Sequence, residues 1–307
     1  MGDNQALTSK ESDDRKRRRL LDATSVMPVD PESLAFQHSV LCQACLPYRN
    51  PGELREWERV NGGVRLKILA GEAFDSGRDE WVQLGLPFGV KPRLILIHLN
   101  TEAIRTGSPV VPVEDSLTAF VRGLLRYAPN GLEIRQFKDQ LAALAASSIR
   151  IGFAKSNERA TTINTQIVHG FDVWLPKNER QRVLWPAVLR LSHEYFESLK
   201  DHAVPLDERA VAALATSCMA LDVYCWLAQR LHRVPSGRPL LVPWAALKSQ
   251  FGWHYDRMVD FRVRMRRALV EVRTQYPDAR FELDHQGLLL RHSPPPIKPK
   301  TVPVPKP

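Results

Sequence analysis

Apolar residues recur along this chain with two different periods, and the switches between them mark out its elements. The clearest stretch runs from Pro243 to Ser293. Within Arg257 to Tyr276, RMVDFRVRMRRALVEVRTQY, the residues Met258, Phe261, Met265, Leu269 and Val272 fall on one face of a helix, and Arg262, Arg266 and Arg273 fall on a single stripe beside it. Upstream, VPWAALKSQFG predicts a shorter helix ending at Gly252. Downstream, ARFELDHQGLLLRHS predicts two short strands joined at the His285-Gln286-Gly287 turn.

A looser version of the same order comes earlier. The strand PVVPV leads into SLTAFVRGLL, a helix with Ser116 as its expected N-cap. After the Pro129-Asn130-Gly131 turn, LEIRQFKDQLAALAAS predicts a helix with Ile134, Phe137, Leu141, Leu144 and Ala145 buried and Arg135, Gln136, Asp139 and Ala143 facing away, Lys138 at the edge. SIRIGFAKSN and TQIVHGFDVWLP then predict a hairpin around a polar loop at 156–162, with Arg150, Lys155 and Arg159 on or near it. Residues 57–87 alternate at Val64, Leu66 and Ile68 as a small sheet does, and KPRLILIHLNTEAIRTGSP predicts a helix begun near Pro92 and stopped by Gly107.

Between the two units, VLWPAVLRL predicts a strand, SHEYFESLKD a helix capped by Ser192, and the alanine-rich run from Val211 to Leu231 one long helix, followed by GRPLLVP as a short strand. Helix, short strand, helix, turn, longer helix and hairpin is the order of a winged helix, which offers its last helix to the major groove and its hairpin to the neighbouring backbone. Its appearance twice predicts a divergent internal duplication and an α+β, mainly α chain of tandem winged-helix domains. The expected organisation is a disordered basic arm over 1–30, an N-terminal extension with the first winged helix over 31–180, a linker helix with the second over 181–293, and a proline-rich disordered tail over 294–307.

Charge sharpens this picture. The formal net charge is +9 in 307 residues. Positive charge gathers in 116–180 and 243–293, where the helix-and-hairpin patterns lie, whereas 21–115 is net negative. That is the footprint a polyanion requires. An arginine fork can donate to guanine O6 and N7 or clamp a phosphate, and phosphate contacts set register without reading sequence. Lys248, Arg291, Arg150 and Lys155 suit that positioning role.

Other chemistry lacks its residues. Cys42 and Cys45 form C-x-x-C with His38 nearby, but no second pair at a useful distance completes a zinc site, and Cys218 and Cys225 sit in an apolar helix, so buried thiols are expected and no metal or cofactor. No phosphate loop of the type G-x-x-x-x-G-K-[ST] occurs, nor a His-hydrophobic-His pair among the nine histidines, nor a tight cluster of carboxylates. Ser192-His193-Glu194 is adjacent in the chain, which favours capping over a triad. A binder without catalytic activity is expected. No run approaches 18 apolar residues and the N-terminus is polar, so neither a membrane span nor a signal peptide is expected, and the chain reads as cytoplasmic.

The segment Tyr255-Asp256-Arg257-Met258-Val259-Asp260-Phe261-Arg262, between a short helix and a hairpin, resembles the C-terminal winged helix of the plasmid replication initiator (Rep/RepA, iteron-binding) proteins. LPFGVKPRLILIHLNTEAIRTGSP with VEDSLTAFVRGL, FKDQLAALAASSIRIGF, and SLKDHAVPLDERAVAAL with ALDVYCWLAQRL resemble the same family, so the likeness covers most of 85–293. It implies a bacterial protein that binds repeated sequences of a plasmid origin in double-stranded DNA, promotes opening of that origin and recruits the host initiator and replicative helicase. It implies an active monomer and a homodimer that represses its own gene. Carried onto this chain, the contacts fall to Arg262 and Arg266, with Arg257, Arg264 and Arg267 flanking, and in the first unit to Arg135, Gln136, Lys138 and Asp139. A winged-helix repressor or partition factor without an initiator role is the alternative reading.

Overall fold

The computed structural model describes residues 34–75, 79–112, 121–123, 125, 128–154, 160–165, 167–168 and 188–297. The arm at 1–30, the cap at Ser116, the side chains of Lys155 and Arg159, and the tail beyond Ile297 lie outside the described residues.

Strand β1 (Leu34–His38) and the one-turn helix α1 (Ser39–Gln43) open the described chain, followed by β2 (Glu56–Asn61), β3 (Val64–Leu69), β4 (Glu72–Asp75) and β5 (Glu80–Gln83). Then come α2 (Val90–Thr106), β6 (Val110–Pro112), α3 (Gly131–Ala146), β7 (Ser148–Ala154), β8 (Ala160–Thr165), β9 (Val188–Arg190), α4 (His193–His202), β10 (Ala203–Asp207), α5 (Glu208–Leu214) and α6 (Cys218–Arg230). The last unit holds β11 (Leu240–Pro243), α7 (Trp244–Phe251), α8 (Met258–Gln275), β12 (Phe281–Leu283) and β13 (Gly287–Leu290). Helix and sheet are mixed throughout, and among the described residues no helix is long and apolar enough to cross a membrane.

Helix α2 is the hub. Leu94, Ile95, Leu96, Ile97 and Leu99 are all buried, and so are the polar Arg93, Asn100 and Thr101, which leaves it almost no solvent face. It stops where Gly107 turns left-handed at φ 66° and donates its N–H to Ala103 O. One continuous core runs from Ala35 to Leu290 and draws on both units. Strand β1 pairs antiparallel with β10, so a strand from the first unit is completed by one from the second.

The last unit's sheet has the order β11-β13-β12, with Leu240–Pro243 against Leu290–Gly287 and Phe281–Leu283 against Leu290–Leu288. The first unit is built differently from the expected copy. Strand β6 pairs with β9, and the β7–β8 hairpin instead extends β2 and β3 into a four-stranded sheet, β2-β3-β7-β8. The buried alternation of Val64, Leu66 and Ile68 on β3 faces Phe153, Ile151 and Ile149 across the β3–β7 ladder, and that apolar match recruits the hairpin. The two units therefore share an order along the chain but not a sheet.

Other expectations need correction. The hairpin returns at Ala160–Thr165, earlier than TQIVHGFDVWLP. The alanine-rich run is two helices, because Asp207 caps α5 through Arg209 N and Ser217 caps α6 through Ala220 N, leaving a break at Ala215–Thr216. The proline tail begins packed, with Ile297 buried and Tyr276 Oη donating to Pro294 O. The strand expected over VLWPAVLRL is only Val188–Arg190 among the described residues.

Candidate nucleic-acid interface

The chain from β11 to β13 folds as it does because three close approaches fix its elements against one another. Phe261, Met265, Ala268, Leu269 and Val272 of α8 are buried, with Met258 half-buried beside them. Gly252 ends α7, and a Cβ there would lie 2.4 Å from the Phe261 ring, so this position sets how near the two helices come. Trp244 is buried at the start of α7, where its N–H donates to Gln286 O (3.0 Å) and its Nε1 donates to Asp284 O (3.1 Å). That pair of bonds clips the hairpin tip to α7. Gly287 passes so close to β11 that a Cβ would sit 2.1 Å from Val242 O.

The arginines of α8 divide by direction. Arg262 is half-buried, its guanidinium lies 5.1 Å from the Trp244 ring centre, and its Nε is shut from solvent with no hydrogen-bond partner among the described residues. Arg266 is exposed and lies 5.9 Å from the same ring. Arg273 donates to Phe281 O (2.7 Å) and lies 4.6 Å from that ring centre. The stripe of Arg262, Arg266 and Arg273 thus leans over the hairpin side. Arg264 and Arg267 are exposed, and Arg257, at the N-cap, makes a loose exposed ion pair with Asp260 at 3.6 Å. Lys248 bridges the α7–α8 turn through a long bond to Asp256 O (3.4 Å). On the hairpin, Arg291 faces Glu282 at 3.3 Å, an exposed contact that contributes little and is readily exchanged for another anion.

In the first unit, Asn130 and Glu133 form a capping box at the start of α3. Arg135, Gln136 and Asp139 are exposed, and Lys138 is half-buried, its ammonium pushed below its ordinary pKa by burial against the opposing pull of Asp139. Ala143 does not face away from the core as expected but is buried, as are Ala142 and Ala145. Gly71 of the β3–β4 turn lies so close to the end of α3 that a Cβ would meet Ala146 O at 1.9 Å. The alanines therefore let the second half of α3 be enclosed on several sides, and only its first two turns remain open. Arg150 is exposed on β7, opposite Lys67, with Arg65 exposed on the same strand as Lys67. Sequence reasoning missed Arg65, because the strand that sets it beside the basic hairpin, with Gly152 as its partner, lies far along the chain.

Cys42, Cys45 and Cys225 are buried thiols and Cys218 is partly buried. His38 caps α1, its Nδ1 accepting from Val40 N (3.2 Å) while Nε2 meets Ser198 Oγ at 3.0 Å. Among the described residues no group of three or more His, Cys, Asp or Glu is placed to hold a metal ion. What the last unit offers is a convex, cationic helix with a hairpin clipped alongside, which suits contact with a grooved polyanion.

Residues 86–244 match a family described as plasmid encoded RepA protein. The match ends at the first residue of α7, so α8 and the β12–β13 hairpin lie beyond it. No curated protein matches the sequence. The fold is similar to two crystal structures of domains 2 and 3 of RctB. One, of selenomethionine derivatives, has a TM-score of 0.48 and 12% identity over 79% of this chain and 85% of that one. The other, RctB residues 155–483, has a TM-score of 0.48 and 9% identity over 82% of this chain and 94% of that one.

Proposed function

This chain belongs to the family of plasmid-encoded RepA replication initiators, and on that premise we propose that it binds the repeated sequences of its plasmid origin as double-stranded DNA, chiefly through α8. The carrying observation is the clip between Trp244 and the hairpin tip, which holds a second contact surface beside a helix whose exposed face bears Arg257, Arg264, Arg266 and Arg267. Helix α6, strand β11, helices α7 and α8 and the β12–β13 hairpin, with sheet order β11-β13-β12, support a winged helix in which α8 enters the major groove and the hairpin lies against the backbone.

In this reading Arg266 and Arg267 are the arginines nearest the bases, Arg257 and Arg264 flank them, and Arg262 is held over Trp244. Lys248 and Arg291 position the backbone. The open first turns of α3, with Arg135, Gln136 and Lys138, and the exposed sheet face bearing Arg150 give a second, weaker contact, and the first unit also serves dimerisation. The protein acts without catalysis of its own. It opens the origin as a monomer, draws in the host initiator and helicase, and as a dimer represses its own gene.

Footprinting on the plasmid's origin and promoter tests this. Protection of several direct repeats is the expected result. Protection of one inverted repeat at the promoter alone would establish a repressor instead.

A further inference from the structure

One exposed ridge of α8 is not basic. Val259, Val263 and Val270 are 59%, 42% and 68% exposed, the largest apolar exposures on this helix. At 100° per residue these positions lie together, opposite the buried line of Phe261, Met265, Leu269 and Val272. Nothing in folding explains them. β-Branched residues are mediocre helix formers, and on this face they stay largely open to solvent. Single exposed apolar residues are commonplace, but three on one ridge, rimmed by Arg266 on the hairpin side and by Arg264, Arg267 and the Arg257-paired Asp260 on the other, make a patterned surface with a net cationic rim.

The rim fixes the partner's chemistry. A surface that is anionic at its edges and apolar at points along its floor is the major groove of DNA, where each thymine presents a 5-methyl group between two phosphate backbones. Residues in the N-terminal part of a recognition helix are the ones that reach base edges. Val259 and Val263 are four residues apart, about 6 Å along the axis, which is close to two base steps of about 3.4 Å. Val270 lies a further seven residues on, about 10 Å, where an obliquely seated helix is leaving the groove.

Resting on the proposed DNA-binding reading, we infer that Val259 and Val263 are specificity-determining residues that read thymine 5-methyl groups about two base pairs apart in each origin repeat. Arginine contacts then supply attraction and guanine reading, and the valines supply discrimination at A·T pairs.

The test compares the plasmid's origin fragment amplified with dTTP against the same fragment amplified with dUTP, which removes every thymine methyl and keeps every hydrogen-bonding group. The wild-type chain is expected to bind the uracil fragment about fifteenfold more weakly, since each of the two buried methyls contributes about fourfold. The variant carrying Val259→Ala and Val263→Ala folds at least as well, because alanine is the better helix former, and is expected to bind both fragments within about twofold of each other. Equal binding of both fragments by the wild type, or a full uracil penalty that persists in the variant, would overturn the inference while leaving DNA binding through α8 intact. Absence of any preference for the origin fragment over random duplex would instead bring down the reading it rests on, and this inference with it.

Discussion

Arg93 and Asp222 form a bidentate ion pair at the centre of the molecule, with Nε to Oδ1 at 2.8 Å and Nη2 to Oδ2 at 2.9 Å. The side chains are 4% and 7% exposed. The guanidinium also donates to the carbonyls of Leu46, Pro47 and Gly89, so all five of its N–H groups are used. Burial works against the charge, but Asp222 outweighs it and holds the Arg93 pKa above the ordinary arginine value. Because Arg93 is on α2 and Asp222 on α6, the pair locks the first unit to the helix that leads into the second.

Removing one partner strands the other. Asp222→Ala is expected to lower the unfolding free energy by about 3–5 kcal/mol, and Arg93→Lys to cost a comparable amount, since an ammonium has neither the fork nor the fifth donor. Urea denaturation of the full chain measures both.

The hairpin depends on a backbone approach. Gly287→Ala would force a methyl into Val242 O and push β13 away from β11. A loss of about 1–3 kcal/mol in stability is expected from thermal melts. A weaker grip on DNA should accompany it, because the tip then no longer reaches Trp244.

Acid should loosen the fold through His38. Burial, and then the nearby His202, push its pKa from 6.5 down to about 3. The folded state therefore refuses a proton that the unfolded chain accepts below pH 6.5. Stability is full above that pH and falls as pH drops toward 3, by at most about 1.4 kcal/mol per unit. His254, lowered to about 4 by burial and then Arg49, adds a smaller slope over part of the same range. His38→Gln should flatten the pH dependence of unfolding between 6.5 and 4 without abolishing it.

The arginines of α8 should separate into two kinds. Arg262→Ala is expected to cost about 1 kcal/mol of stability, because its guanidinium lies over Trp244. Arg266→Ala with Arg267→Ala should leave the melting temperature unchanged and weaken origin binding. For every phosphate that the double variant no longer neutralises, the slope of log K against log salt should shrink by about 0.9.

Local elements were readable from the sequence because local physics decides them. Helix α8 is Met258–Gln275, within a residue of its pattern, and α2 ends at the left-handed Gly107. The cap at Ser192 and the turn before Gly287 follow from single residues in the same way. Long-range pairing was not readable. Nothing local to β7 says that it will meet β3 rather than β6, and nothing in an Ala-Thr-Ser run says that Ser217 will start a new helix. Apolar pattern alone also misplaced Ala143, since a small residue is equally at home on a surface and under a closely packed strand turn. The interface was legible in its charge and not in its aim. Arg262 and Arg266 share a stripe, but Trp244 draws that stripe toward the hairpin and leaves the valines on the crest.

The most direct measurement is the affinity of the full chain for its origin repeats relative to a scrambled duplex of the same length, taken across a salt series. The expected result is a preference of about a thousandfold or more, with binding to both duplexes falling steeply as salt rises. Equal affinity for the two duplexes, or binding indifferent to salt, would contradict the account.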